Sequence, residues 1–232
     1  NVSNASPFCE ALTAPAMVLT LGDAVRERGV SPNSLLQRQS LPLISQTCFA
    51  SGLRLDTMSA TTTFTVRPAT LRDAKSITEL HNASVCEAFK SATPNAPVPV
   101  SALEKPQSYW REAIEYAEPQ VQVALDGDTI VGFVGFDRSR DKGSPQTMGE
   151  LSHIYVASSH IGQGAGLALW DAAREGLMEE GCTHATVWIA IANDRALRFH
   201  ELAGFKREPS SAKTVPVGTA RVEEIRLKRA LS

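Results

Sequence analysis

Three glycines alternate along Ile161-Gly162-Gln163-Gly164-Ala165-Gly166, between a strand-like run at 150–156 and a helical run over 164–180. Few backbones tolerate that pattern. Each glycine removes a Cβ, so the chain can turn sharply and aim several N–H groups at one point. The start of a helix leaves further N–H groups unpaired, at the positive end of its dipole. Together these make an anion site that suits a phosphate or pyrophosphate. The dinucleotide fingerprint G-x-G-x-x-G fails, because its third glycine is Leu167 counted from Gly162 and Leu169 counted from Gly164. The phosphate-loop pattern ending in Gly-Lys-Ser/Thr is absent as well. Taken alone, the run also reads as a tight strand-to-helix turn without a ligand.

Composition narrows the setting. The chain has 232 residues, of which 43% are hydrophobic, enough for a sizeable core. A net charge of −2 lacks the basic footprint of a nucleic-acid binder. No apolar run approaches the roughly 18 residues of a membrane span. Cys9, Cys48, Cys86 and Cys182 are far apart and form no C-x-x-C pair. They read as isolated reduced thiols of a cytoplasmic protein, with neither a zinc site nor a disulfide framework.

Residues 1–57 differ from the remainder. They carry no Lys, four Arg (Arg26, Arg28, Arg38, Arg54) and four acids (Glu10, Asp23, Glu27, Asp56). Three readings stand side by side: translated sequence upstream of a start at Met58, an organelle transit segment, or an ordered extension. The acids weaken the second, since transit segments are poor in them. The expected organisation is a disordered or non-native extension at 1–57 and one domain at 58–232.

Within that domain, strands are expected at 64–67, 121–125, 130–136, 150–156, 185–190 and 222–227. Asp126-Gly127 marks a hairpin turn between the second and third. Helices are expected from Thr70 and Asp73 to about Phe89, over 107–117, over 164–180 with Gly181 as C-cap, and from Asp194 to Gly204. Four prolines make 91–106 a loop. Helices mixed with antiparallel and crossover strands give an α/β or α+β fold.

A second motif gives the glycines a context. Asn193-Asp194-Arg195-Ala196-Leu197-Arg198-Phe199-His200-Glu201-Leu202-Ala203-Gly204-Phe205 follows a strand. With Gly162–Gly166 and Glu150–Val156, it resembles the GNAT superfamily of acyl-CoA-dependent N-acyltransferases. The Phe-His-Glu wording and the Trp-bearing second helix are most similar to its phosphinothricin-acetyltransferase branch. The resemblance implies a mixed, mainly antiparallel sheet of about six or seven strands flanked by helices.

It also implies acetyl-CoA as cofactor, with its pyrophosphate on the loop Ile161, Gly162, Gln163, Gly164, Ala165 and Gly166. The pantetheine arm would run along Ile154 and Val156 and meet the side chain of Asn193. Ile161 departs from the pattern, which has Gln or Arg there. Glu150 corresponds to a strand carboxylate that serves as general base. His200 occupies the position of the acid, or it orients the thiol. Trp110 and His153 are candidate substrate contacts, and His81 and Tyr109 lie on helices that border the acceptor cleft in similar proteins. The implied function is acetyl transfer, in a ternary complex, to the primary amine of a small amino-acid-like molecule. A protein amine and a non-catalytic CoA-binding module are the alternatives. No metal, nucleic acid or membrane is implied, and homodimers are common among similar proteins.

Overall fold

The computed structural model describes residues 64–231 apart from Pro94 and Ala96. The expectations for residues 1–57 lie outside the described residues. Seven strands run in the order β1-β2-β3-β4-β5-β7-β6: β1 (Thr65–Pro68), β2 (Gln120–Asp126), β3 (Thr129–Arg138), β4 (Met148–Val156), β5 (His184–Ala190), β6 (Lys206–Val217) and β7 (Ala220–Ala230). The helices are α1 (Ala74–Ala92), α2 (Val100–Leu103), α3 (Gln107–Tyr116), α4 (Ala165–Glu179) and α5 (Asp194–Leu202). Neighbouring strands are antiparallel except β4 and β5, which α4 connects as a parallel crossover. The mixed, mainly antiparallel sheet implied by the resemblance is present.

Both faces of the sheet are covered. Leu151, Ile154, Val187, Ile189, Ile225 and Leu227 pack with α4 and α5 on one face. Phe133, Tyr155, Ala190 and Val222 pack with α1, α2 and α3 on the other. This two-sided burial explains the near-continuous apolar strands β3, β4 and β5.

Three local differences from the sequence reading have physical causes. The first hairpin loop is Gly127-Asp128, one residue later than expected, because Asp126 pairs with Thr129 and the positive φ falls on Gly127. The start of α1 is ordered by Asp73 at the N-cap. Asp73 accepts from Thr70 and from Arg67 at 2.7 Å, so Thr70 binds the capping residue and is not itself the cap. These bonds, the one from Arg67 foremost, hold the Asp73 carboxyl down at about 2. Finally, β6 lies where no strand was expected. It contains Pro209 and Pro216 and pairs only with β7, and an edge strand tolerates proline where a central one does not. Within the 91–106 loop, α2 adds a single turn.

The fit of α4 on the sheet is close. A Cβ on Gly176 would lie 2.6 Å from ring atoms of Phe136, itself fully buried. Gly176→Ala improves helix propensity by about 1 kcal/mol, but overpacking costs about 1–3 kcal/mol. The net expectation is a lower melting temperature, by a few degrees, in thermal denaturation. An unchanged or raised midpoint would mean that α4 can shift outward freely.

Candidate functional site

The parallel pairing of β4 and β5 runs from Met148↔His184 to Leu151↔Val187 and then stops. A bulge causes the parting. Gly135 pairs with His153 while Phe136 pairs with Leu151, so Ser152 is the extra residue. Its Oγ donates to the carbonyl of Gly135 at 3.1 Å. A Cβ at residue 135 would lie 3.1 Å from that Oγ and 3.2 Å from His153 Nδ1, so a side chain there would crowd the bulge. Beyond it, the β4–β5 ladder does not continue among the described residues. Ala157 N–H donates to Val131 O on β3. By strand alternation, the N–H groups of Ile154 and Val156 therefore open into the split. Their side chains are buried under α4.

The glycine loop lies between the end of β4 and the start of α4. Gly162 and Gly164 have φ of +76° and +103°, and no atom lies near where their Cβ atoms would be. These two supply the left-handed backbone and the open space. Gly166 has another role: its missing Cβ accommodates the Phe199 ring of α5, which would be 3.3 Å away. Gly164 caps α4 without a side-chain bond, and the first helical bond is from Ala168 N–H to Gly164 O. The N–H groups of Ala165, Gly166 and Leu167 are thus unused by the helix. Ile161, the departure from the motif, packs its side chain against the core beside α4. Gln163 Nε2 donates to Ser159 O at 2.7 Å, which closes the turn on itself.

Asn193 caps α5. Its Oδ1 accepts from Ala196 N–H at 3.1 Å, and its Nδ2 is buried with no hydrogen-bond partner. His200, one turn beyond Ala196, is fully buried between Phe199 and Phe205. Its Nδ1 lies 2.8 Å from Ala196 O, so that nitrogen carries the proton. Burial pushes the imidazole down to about 4. The ring is therefore neutral at physiological pH, and its unpartnered Nε2 is an acceptor.

Glu150 lies on the opposite face, at the apex of the split, where it pairs in register with Thr186. It is half-buried, and Ser139 Oγ donates to its Oε2 at 2.9 Å. Desolvation raises its pKa above the usual carboxylate range, against the pull of the Ser139 bond. On the same face His153 joins an aromatic cluster, with ring centres 5.0 Å from Trp110, 5.8 Å from His81 and 6.5 Å from Tyr109. Burial lowers the pKa of both histidines, His81 to about 4. Trp110 is wholly enclosed with an unpartnered Nε1, and His153 is 7% exposed.

The sequence reading missed four residues of this face. Trp188, 6% exposed, donates from Nε1 to Asp141 Oδ2 at 3.0 Å, and Lys213 Nζ sits 3.3 Å from its ring centre. Glu224 is fully buried with neither oxygen bonded. One signal was available: apolar alternation in β7 changes phase between Val222 and Ile225, which leaves Glu224 on a covered face. A cavity bounded by Arg67, Asp73, Glu79 and Asp128 contains none of the motif residues. Among the described residues, no cluster of His, Cys, Asp and Glu could hold a metal. No described helix is long and apolar enough to cross a membrane.

Comparison with known proteins bears on the family and the fold. A model of the Acetyltransferase (GNAT) family matches residues 83–205. No curated protein matches the chain. Among solved structures, yncA, a putative acetyltransferase from Salmonella typhimurium with its cofactor acetyl-CoA, is 22% identical, with 73% of this chain and 94% of that one covered at a TM-score of 0.57. A phosphinothricin acetyltransferase from Sinorhizobium meliloti in complex with acetyl-CoA is 20% identical, with 73% and 89% covered and a TM-score of 0.57. A ribosomal-protein-alanine N-acetyltransferase from Brucella melitensis is 18% identical, with 72% and 99% covered and a TM-score of 0.58. With the family model matching over half its length, the chain belongs to the GNAT family of acetyltransferases.

Proposed function

We propose that the protein is an acetyl-CoA-dependent N-acetyltransferase acting on the primary amine of a small, amino-acid-like molecule. The observation that carries this reading is the β4/β5 split with free N–H groups at both ends. The N–H groups of Ile154 and Val156 line the split, and those of residues 165–167, in the first turn of the helix that follows β4, are unused by that helix. Acetyl-CoA fits these donors. The left-handed Gly162 and Gly164 leave room for a pyrophosphate at the positive end of α4. The buried, unpartnered Nδ2 of Asn193 fits a carbonyl of the pantetheine arm. When bound, acetyl-CoA supplies a thioester as acetyl donor.

The chain's own groups then have separable tasks. Glu150 receives a proton from the acceptor ammonium, directly or through water. Its desolvated carboxylate is a better proton acceptor near neutral pH than an exposed one. The Val156 N–H stabilises charge that develops on the thioester oxygen. His200 is neutral with Nδ1–H committed to Ala196 O, so orienting the cofactor arm suits it better than donating a proton. A small acceptor is favoured by the cover over this face. A Cβ on Gly218, at the β6–β7 turn, would lie 2.4 Å from Pro99 Cβ, so the turn and the segment before α2 are in contact above the site. The amino-acid-like class fits Lys105, whose ammonium lies 5.1 Å from the Tyr109 ring centre on the acceptor side and suits an anionic group.

Two variants test this. Glu150→Gln should lower kcat and kcat/KM together, by roughly 10²–10³-fold. In the wild type the rate should fall as pH drops through the raised Glu150 pKa, since only the carboxylate accepts a proton. That acid limb should be missing from the variant's pH–rate profile, and its persistence would assign the base elsewhere. Gly164→Ala introduces a left-handed alanine at a cost of about 1–2 kcal/mol. Titration calorimetry should then show the Kd for acetyl-CoA rising roughly tenfold. An unchanged Kd would remove the loop from the cofactor site.

A further inference from the structure

Glu224 belongs to the row Val222, Glu224, Arg226 of β7, on the acceptor face. It is 0% exposed, and both of its oxygens lack a partner. A desolvated carboxylate without donors is costly, so a partner that arrives later is its natural complement. Lys213 faces Glu224 across the β6–β7 pairing. Its ammonium does not close an ion pair there. It lies instead over Trp188, 3.3 Å from the ring centre. The ion pairs of this region join Arg226 to Asp141 at 2.9 Å and to Glu208 at 2.6 Å, which leaves Lys213 out. Trp188 is fixed by its bond to Asp141 and stands one residue beyond the last β4–β5 pair, Leu151↔Val187. Glu150 lies within electrostatic reach of the same ammonium.

An aromatic face that already holds one ammonium, with two carboxylates within electrostatic reach of it, is a cation site. We propose that the Trp188 ring, with Glu224 and Glu150 within electrostatic reach of its face, seats the ammonium of the acceptor, and that Lys213 is its resident occupant, displaced when the acceptor binds. This rests on the acetyltransferase reading and specifies how that site takes its amine. Displacement requires only rotation of a flexible side chain on an edge strand. The ligand class is a primary aliphatic ammonium, the chemistry of the lysine head group it replaces. Glu224 is a positioning residue in this scheme, distinct from Glu150 as proton acceptor.

The test uses n-butylammonium, a replica of the lysine stem and head, titrated by calorimetry into the full chain. Lys213→Met empties the seat and should tighten binding, whereas Glu224→Gln should weaken it, each by roughly tenfold. Acetyl-CoA affinity should stay within about twofold of wild type in both variants, an allowance small on the tenfold-per-1.4 kcal/mol scale. Opposite signs separate this role from a structural one, which would weaken both. Weaker or unchanged binding in Lys213→Met would overturn the proposal, as would saturable binding in neither wild type nor that variant. Acetylation of Lys213 itself, seen by mass spectrometry after incubation with acetyl-CoA, would also overturn it by making the residue an acceptor. Titration of wild type with acetyl-CoA keeps the two levels apart: failure there refutes the acetyltransferase reading and leaves the butylammonium result standing.

Discussion

Two parallel strands part company after four paired residues, and every feature of the site depends on that separation. Sheets do not open unaided, because an unpaired backbone group away from water costs about as much as a lost hydrogen bond. Here the extra residue Ser152 bends β4, and its hydroxyl covers the Gly135 carbonyl. The parting leaves donors at Ile154 and Val156 in a polar slot between two apolar layers. The slot joins the α4–α5 face, where the glycine loop and Asn193 lie, to the α1–α3 face, where Glu150 lies.

The two faces differ in chemistry. On the α4 side, free donors dominate: the first turn of α4 and the Asn193 amide. On the other side, Glu150, Asp141, Glu208 and Glu224 outnumber Lys105, Lys213 and Arg226, and this excess of acid suits a cationic guest. An anionic donor and a cationic acceptor would thus be drawn to opposite sides of one sheet.

The sequence made legible those parts that local rules decide. The glycine loop, the Asn193 cap, the phase of β4 and the helix ends at Gly181 and Gly204 all follow from short-range constraints on backbone conformation. Glu150 and His200 could be singled out only through the family motif, and geometry then separated them: one half-buried at the split, the other enclosed with its Nδ1–H committed. Edge strand β6 was hidden because its prolines and weak alternation mimic a loop. Glu224 and Lys213 were hidden because their meaning comes from pairing across a hairpin that had not been recognised. Trp188 reads as core from its residue type, and only Asp141, 47 positions away in the chain, reveals its polar edge.

The contact of Gly218 with Pro99 joins two loops that share no strand ladder. The roof they form is a seam, held by van der Waals touch at a point where one partner has no side chain. The spacing of these two loops is therefore a matter of loop length and not of sheet geometry. Lengthening or trimming either loop would change the cover of the α1–α3 face while the β4/β5 split kept its shape. The cover of one face and the free donors of the other can in this way change independently within one fold.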